Sequence, residues 1–225
     1  MKEKPKPKTK CINCNYKLDK ELRDIIHGYV MSDGYLINGI LTVDQGQKQK
    51  TFVLWLYQKL QPLRSPAPIK EVRLMNPKTQ KVSRSFRFFT RAVLQGFQHM
   101  WYQRKVYHGV STYEKKLPIT LGCFFNHTFL TLWFAVDGTK TMGCVGAKFE
   151  VTSLTVEERH RLKKLFLSKF DMQVLLLKAG TCSQGRPQWV LKIPPLYYSK
   201  FRKLITTMDL ISNVFPYKLH KKPKL

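Results

Sequence analysis

Ile25-Ile26-His27-Gly28-Tyr29-Val30-Met31-Ser32-Asp33-Gly34 is an apolar run closed by a single carboxylate and a glycine. Leu22, Ile25, Ile26, Tyr29 and Val30 fall on one face at helical spacing, which predicts a helix from about Asp19 to Ser32. Gly34 suits the chain reversal beyond it. The same ending returns far along the chain, in Leu130-Thr131-Leu132-Trp133-Phe134-Ala135-Val136-Asp137-Gly138. One Asp-Gly pair marks an ordinary turn more often than a site. The two copies carry weight because the segments around them also match.

After the first copy, Tyr35 to Val43 is rich in β-formers around Gly39 and predicts a hairpin. Gln49 to Leu60 predicts a helix with Phe52, Val53, Leu56, Tyr57 and Leu60 on its apolar side, stopped by Pro62, Pro66 and Pro68. Ile69 to Met75 and Val82 to Thr90 read as strands about the turn Asn76-Pro77-Lys78-Thr79-Gln80, and Arg91 to Gln103 as a third helix. After the second copy, Met142 to Val151 reads as a hairpin region. Thr155-Val156-Glu157-Glu158 has a capping-box signature and opens a helix carrying Leu162, Leu165, Phe166 and Phe170. Met172 to Lys178 and Gln188 to Ile193 read as strands about Thr181-Cys182-Ser183-Gln184-Gly185, and Pro195 to Met208 as a closing helix. Each half therefore reads helix, two strands, helix, two strands, helix, a repeat of pattern more than of residues. The divisions are a basic disordered arm at 1–18, a first half at 19–103, a linker at 104–118 without apolar periodicity, a second half at 119–220 and a basic tail at 221–225. If the two motif helices pack on each other, the halves share one core.

The 225-residue chain carries 40 Lys plus Arg against 14 Asp plus Glu, a formal charge of +26. Self-repulsion on that scale destabilises a compact monomer unless a polyanion relieves it. Nucleic acid is the leading partner, with an anionic membrane surface behind it and lysine-rich coding from an AT-rich genome accounting for a share of the excess. Hydrophobic residues at 43% are enough for a core. No run of 18 apolar residues predicts a transmembrane helix. Met1-Lys2-Glu3-Lys4-Pro5-Lys6-Pro7-Lys8 has neither the apolar stretch of a secretory signal nor the Arg/Ser pattern of a transit peptide. Five cysteines, an odd number, argue against a secreted disulfide framework. Cys11 and Cys14 form a Cys-x-x-Cys pair, but zinc takes four ligands at matched spacing and Cys123, Cys144 and Cys182 are scattered. Two incidental cysteines are the better reading.

Hydrolysing a phosphodiester takes a bound divalent metal that activates water and stabilises the leaving oxygen. Magnesium prefers few carboxylates, several waters and the substrate's own phosphate oxygens. One aspartate at the end of each of two packed helices supplies that minimum. The paired motif resembles that of the LAGLIDADG homing endonucleases, and the resemblance extends from Leu22 to Leu219. Ser83-Arg84-Ser85-Phe86-Arg87-Phe88-Phe89-Thr90-Arg91 is similar to the family's Ser-x-Arg-Phe-x-Thr strand, and Lys116-Leu117-Pro118 to its lead-in before the second motif. Ser153-Leu154-Thr155-Val156-Glu157-Glu158 is similar to its Ser-Phe-Thr-x-Glu-Glu helix start. Phe201-Arg202-Lys203-Leu204-Ile205 and Tyr217-Lys218-Leu219 resemble its closing helix and final Tyr-Lys-Leu.

The subgroup implied is the double-motif, single-chain form encoded in organellar group I introns. The resemblance implies an α+β fold of two pseudo-symmetric αββαββα halves packed through the motif helices, each with an antiparallel DNA-binding saddle sheet. It implies Asp33 and Asp137 as catalytic acids binding Mg²⁺ (or Mn²⁺). It maps the family's basic residues near the cleavage site onto Lys218 and Lys116, or onto Lys115, because the lead-in is one residue short. Asp44-Gln45 resemble a Glu-Gln pair at the end of the first hairpin. His27 stands where the family has a small residue, Ser32 where it has a glycine, and Val136 where it often has an acid or a small residue.

Reading DNA falls to the strands, because a twisted antiparallel ribbon fits the major groove. The candidates are Asn38, Asp44, Gln45, Lys70, Arg73, Arg84, Arg87, Lys148, Lys178, Gln188 and Lys192. Any one lysine or arginine here is more often a solvated charge or a phosphate contact than a base reader. Arg84 and Arg87 have opposite parity, so at least one faces away from the groove. The function expected is a metal-dependent, site-specific double-strand DNA endonuclease of intron homing. It would act as a monomer on a long asymmetric target, in a mitochondrion or chloroplast. The alternatives are a maturase bound to its own group I intron RNA and a non-catalytic basic protein of a ribonucleoprotein.

Overall fold

The computed structural model describes residues 18–181, 185 and 187–220. The arm with Cys11 and Cys14, residues 182–184 of the second-half turn and the tail from 221 lie outside the described residues. The first half runs α1 (Lys20–Met31), β1 (Tyr35–Ile37), β2 (Ile40–Gly46), α2 (Lys50–Lys59), β3 (Lys70–Met75), β4 (Val82–Phe89) and α3 (Gln95–Trp101). A hairpin follows, β5 (Tyr102–Tyr107) and β6 (Val110–Lys115). The second half runs α4 (His127–Val136), β7 (Gly138–Lys140), β8 (Ala147–Glu150), α5 (Val156–Phe170), β9 (Leu175–Thr181), β10 (Pro187–Ile193), α6 (Pro195–Ile205) and α7 (Asp209–Val214).

The two four-stranded sheets have matching antiparallel orders, β1-β2-β4-β3 and β7-β8-β10-β9. Both keep one apolar face toward the helices. Val43 pairs with Phe88 in the first sheet, and Phe149 with Leu191 in the second, and all four are buried. One hydrophobic core spans both halves.

The motif helices are the centre of that core. Asp19 caps α1 by accepting from Leu22 N at 2.7 Å. Asn126 caps α4 by accepting from Phe129 N at 3.1 Å, and its amide donates to Asp24 Oδ2 on α1 at 2.7 Å. Every residue of α4 from Thr128 to Ala135 is buried. A helix apolar on all sides needs walls on all sides, and α1 supplies one. At the crossing, a Cβ on Gly28 would lie 2.7 Å from Leu132 Cβ and 2.8 Å from Phe129 O. Glycine is required there so that the two backbones can approach.

Several expected boundaries shift, among them the strand read from Met172 to Lys178, which runs Leu175–Thr181. The helix read from Arg91 begins only at Gln95, because residues 90–94 bond elsewhere: Arg91 N to Leu63 O, and Leu94 N to Gly39 O in the β1–β2 turn. That turn places both Asn38 (φ 51°) and Gly39 (φ 70°) in the left-handed region, which suits a two-residue hairpin. The closing helix breaks after Ile205, where the Thr206 and Thr207 hydroxyls bond back to Arg202 O and Leu204 O, both at 2.8 Å. The second hairpin starts directly at Gly138, because Gly138 pairs with Phe149 across the sheet. The linker is the largest difference. It forms β5–β6, turning at His108 and Gly109 with positive φ; Tyr102 at its base is buried while the side chains of β6 lie open on both faces, so no apolar period marks it. The capping box at Thr155 and Glu158 forms as read, and Glu158 also accepts from Leu117 N at 2.7 Å.

Two predictions follow from the core. Gly28→Ala should cost roughly 1–3 kcal/mol by overpacking the crossing, a fall in melting temperature of roughly 3–10 °C. His27 is buried, its Nδ1 accepts from Trp101 Nε1 at 2.8 Å, and its ring stacks on Phe124. Burial, and then the Arg23 charge, push its pKa from 6.5 down to about 3. Below 6.5 the unfolded chain therefore takes up a proton that the folded chain refuses until about pH 3. His27 makes its full contribution above 6.5, and stability falls as pH drops toward 3, by several kcal/mol across the window. Urea unfolding between pH 7 and pH 4 should show the loss, and His27→Gln should flatten that part of the profile.

Candidate active site

The ends of α1 and α4 define the site. Ser32 N and Gly34 N both donate to Tyr29 O, at 3.2 and 2.8 Å, which turns the chain and sets Asp33 just beyond α1. Asp137 is the C-cap of α4, its amide donating to Trp133 O at 3.0 Å. The glycine after each acid is a matter of space. A Cβ on Gly34 would lie 2.7 Å from Tyr29 O, and one on Gly138 would lie 2.0 Å from Phe134 Cδ2.

The two carboxylates are close enough to act on each other. Burial pushes Asp137 up to about 7, the Asp33 charge adds to the rise, Lys115 and Lys218 oppose it, and Glu150 adds a little more. Burial pulls Lys115 and Lys218 each down to about 8, although both aspartates favour their charged forms. Asp33 Oδ2 accepts from Gln45 Nε2 at 3.0 Å, and the same nitrogen donates to the Tyr29 hydroxyl at 3.3 Å.

The lysines differ in what they hold. Lys218 Nζ, from the turn Pro216–Lys218, donates to the carbonyls of Phe134 (3.3 Å), Ala135 (2.7 Å), Val136 (3.1 Å) and Gly138 (2.8 Å). Four acceptors surround an ammonium with three protons, so Lys218 closes the end of α4 and no proton is spare. Lys115 Nζ, from the end of β6, donates to Ser32 O at 2.6 Å and keeps further donor capacity. Lys116 lines the same hollow as Met31, Ser32, Lys115, Asp137 and Glu150. Of the two lysines in the lead-in, Lys115 is the one whose charge acts on both aspartates.

The sheets sort the remaining candidates by face. Asp44, Lys70 and Arg87 lie on the open face of the first sheet, with Asp44 opposite Arg87 and accepting from its Nε at 2.8 Å. Lys148, Gln188 and Lys192 lie on the open face of the second. Asn38 sits in the β1–β2 turn. Four expected groove residues turn the other way. Arg73 and Arg84 pair across β3–β4 on the helix side, held by Glu71, because β4 points Arg84, Phe86 and Phe88 to one face. Lys178 Nζ lies over the Trp189 ring at 5.5 Å, also on the helix side. Gln45 is buried and bonded to Asp33, so it serves the carboxylate from beneath and does not face the groove.

Glu150 was missed by sequence reasoning. It shares with Asp137, Thr139, Lys148, Gln188 and Val190 a second hollow on the open face. The signal was its register. Glu150 holds in β8 the place that Asp44 holds in β2, one residue past the buried Phe149 and Val43.

Among the described residues no group of three or more His, Cys, Asp and Glu could hold a metal ion. The two aspartates present hard oxygen donors, which suit Mg²⁺ or Mn²⁺ with waters and substrate phosphate completing the shell. The charge balance fits as well. Burial and the Asp33 charge both penalise an ionised Asp137, and a divalent cation held between the two would relieve both penalties.

The profile of the LAGLIDADG DNA endonuclease family matches residues 23–201. Among solved structures, the homing endonuclease I-WcaI bound to its DNA recognition sequence aligns over 91% of this chain and 88% of that one, with a TM-score of 0.73 and 15% identity. Full-length DUF199/WhiA from Thermatoga maritima aligns over 93% of this chain and 65% of that one, with a TM-score of 0.51 and 10% identity. At such identities the likeness is one of fold. No curated protein matches the sequence. The family match takes in both acid-bearing helix ends and both sheets, and the chain belongs to the LAGLIDADG DNA endonuclease family.

Proposed function

We propose that this chain is a site-specific, double-strand DNA endonuclease of intron homing, hydrolysing one phosphodiester on each strand of a long asymmetric target. The observation that carries the reading is the shared environment of Asp33 and Asp137. Two helix ends, far apart in sequence, bring carboxylates into mutual electrostatic range with Lys115 and Lys218 beside them. Asp33 and Asp137 would hold the divalent metal, Mg²⁺ or Mn²⁺. When bound, such a metal polarises the phosphoryl oxygen and lowers the pKa of attacking water.

The protein's own part is to position and to balance charge. Gln45 fixes Asp33 through Oδ2, and Tyr29 fixes Gln45. Lys218 holds the end of α4 and with it Asp137. Lys115 retains protons to donate to a phosphate oxygen as charge develops. The open faces carrying Lys70, Arg87, Lys148, Gln188 and Lys192 would lie along the duplex, most of them on phosphates. The +26 charge supports a polyanionic partner and a monomer kept apart by repulsion. An organellar intron as the coding site is part of this proposal, resting on the resemblance to the intron-encoded subgroup.

Cleavage of a supercoiled plasmid carrying the intron-less host sequence tests it, with Mg²⁺ present. The wild type should linearise the plasmid. Asp33→Asn and Asp137→Asn should each lower cutting by at least about a thousandfold, while retaining DNA in a gel-shift assay. Full cleavage by either variant would refute the two-carboxylate mechanism. A wild type silent on the plasmid yet bound to its intron RNA would favour the maturase reading. The two lysines should separate as well. Lys115→Met should lower cleavage by roughly a hundredfold at nearly unchanged stability. Lys218→Met should lose roughly 2–3 kcal/mol, a fall of roughly 5–10 °C in melting temperature.

A further inference from the structure

The β5–β6 hairpin gives Tyr102 at its base to the core and Lys115 to the proposed chemistry, but residues 103–106 and 110–114 serve neither, although they spring from the carboxylate centre. The Tyr102 hydroxyl donates to Gly34 O and accepts from Leu36 N, both at 3.3 Å. Lys116 N donates to Trp101 O at 2.8 Å, and Lys115 Nζ holds Ser32 O. The base of the hairpin is thus tied to the residues on either side of Asp33. Among the described residues the two strands pair only with each other and form a sheet of their own. Val106, Val110 and Tyr113 are 63%, 64% and 47% exposed. A lone two-stranded ribbon is marginal in water, so this one is suited to a surface that covers it.

The chemistry of that surface is set by charge. Arg104 and Lys105 are successive residues, so they point to opposite faces of the ribbon. The Arg104 guanidinium is steadied by Ser111 Oγ, at 3.0 Å from Nε and 2.6 Å from Nη2. Lys105 pairs with Glu114, whose carboxylate also accepts from Gln103 at 3.2 Å. His108 stands at the tip, and Glu114 is the sole acid on the hairpin. A ribbon with a cation on each face, roughly 20 Å long at about 3.3 Å per residue, matches a groove with phosphates on both walls better than it matches a flat protein surface.

We propose that the β5–β6 ribbon lies in a groove of the duplex beside the cleavage centre, with Arg104 and Lys105 contacting phosphates on opposite walls. This rests on the reading of the chain as a DNA endonuclease, because a duplex with its scissile phosphates at Asp33 and Asp137 passes the ribbon's base.

The test uses the full chain with Arg104→Ala and Lys105→Ala together, and a random-sequence duplex as the probe, titrated at several salt concentrations. Each lost phosphate contact removes about 0.9 from the slope of log affinity against log salt. The double variant should therefore show a slope shallower by about two and bind at least roughly tenfold more weakly near 0.1 M salt. Lys163→Ala with Lys164→Ala, on α5 behind the second sheet, removes the same charge and should leave the slope unchanged. Hydroxyl-radical footprinting should show phosphates protected by the wild type and bared in the hairpin variant. An unchanged slope and footprint overturns the inference, and so does an equal loss from the α5 pair, which would make the effect one of net charge. A wild type that ignores duplex DNA overturns the endonuclease reading itself, and this inference with it. An unchanged melting temperature in the hairpin variant shows that the core is intact, since neither residue belongs to it.

Discussion

The distance between α1 and α4 governs everything else in this molecule. Gly28 on one helix meets Phe129 and Leu132 on the other so closely that a methyl group would have no room. Asp33 follows Gly28 by five residues, and Asp137 follows Leu132 by five. A helix is stiff over so short a span, so the separation at the crossing sets the separation of the carboxylates. The same contact joins the two halves into one core. Stability and site geometry are therefore one constraint here, and bulk added at the crossing disturbs both.

The halves share a topology but not a chemistry. Asp33 rests on Gln45, and the corresponding place past Phe149 is Val151, which is buried and has no side-chain donor to offer Asp137. Asp44 is neutralised across the strand by Arg87, whereas Glu150 faces Val190. Asp137 is the carboxylate pushed up to about 7, by burial first and the Asp33 charge second, with Glu150 adding the least. Lys218 offsets this from within by closing the end of α4. Lys115 offsets it from the linker side, reaching across to the first motif at Ser32 O. Lys218 is buried, and Lys115 is crowded by the protein around it although its side chain stays open to solvent at the end of β6; both stay next to carboxylates that reward their charge.

The departures from the family pattern also find their places. His27, where a small residue is usual, fills a slot between Phe97, Trp101 and Phe124 and accepts a hydrogen bond that Trp101 would otherwise lack. It thereby pins α3 and the start of the second half against α1. Ser32, in place of a glycine, returns its hydroxyl to Gly28 O and Tyr29 O at 3.3 and 3.1 Å, which tightens the turn before Asp33.

Local signals in the chain determined a good deal: both motif helices, the capping box at Thr155, the strand pairs of each half, the doubled order and the two acids. Those features depend on period, capping chemistry and turn residues, which act over a few positions. Tertiary structure decided what local pattern leaves undetermined. Whether a cation on a strand faces the groove or the helices depends on register against neighbouring strands, and so Arg73, Arg84, Lys178 and Gln45 left the open faces while Lys70 and Arg87 stayed. Which lysine of the lead-in reaches the carboxylates depended on where the linker hairpin is anchored, because adjacent residues of a strand point opposite ways. Beyond the buried Tyr102 at its base the hairpin left no apolar period to read, since both faces of β6 lie open.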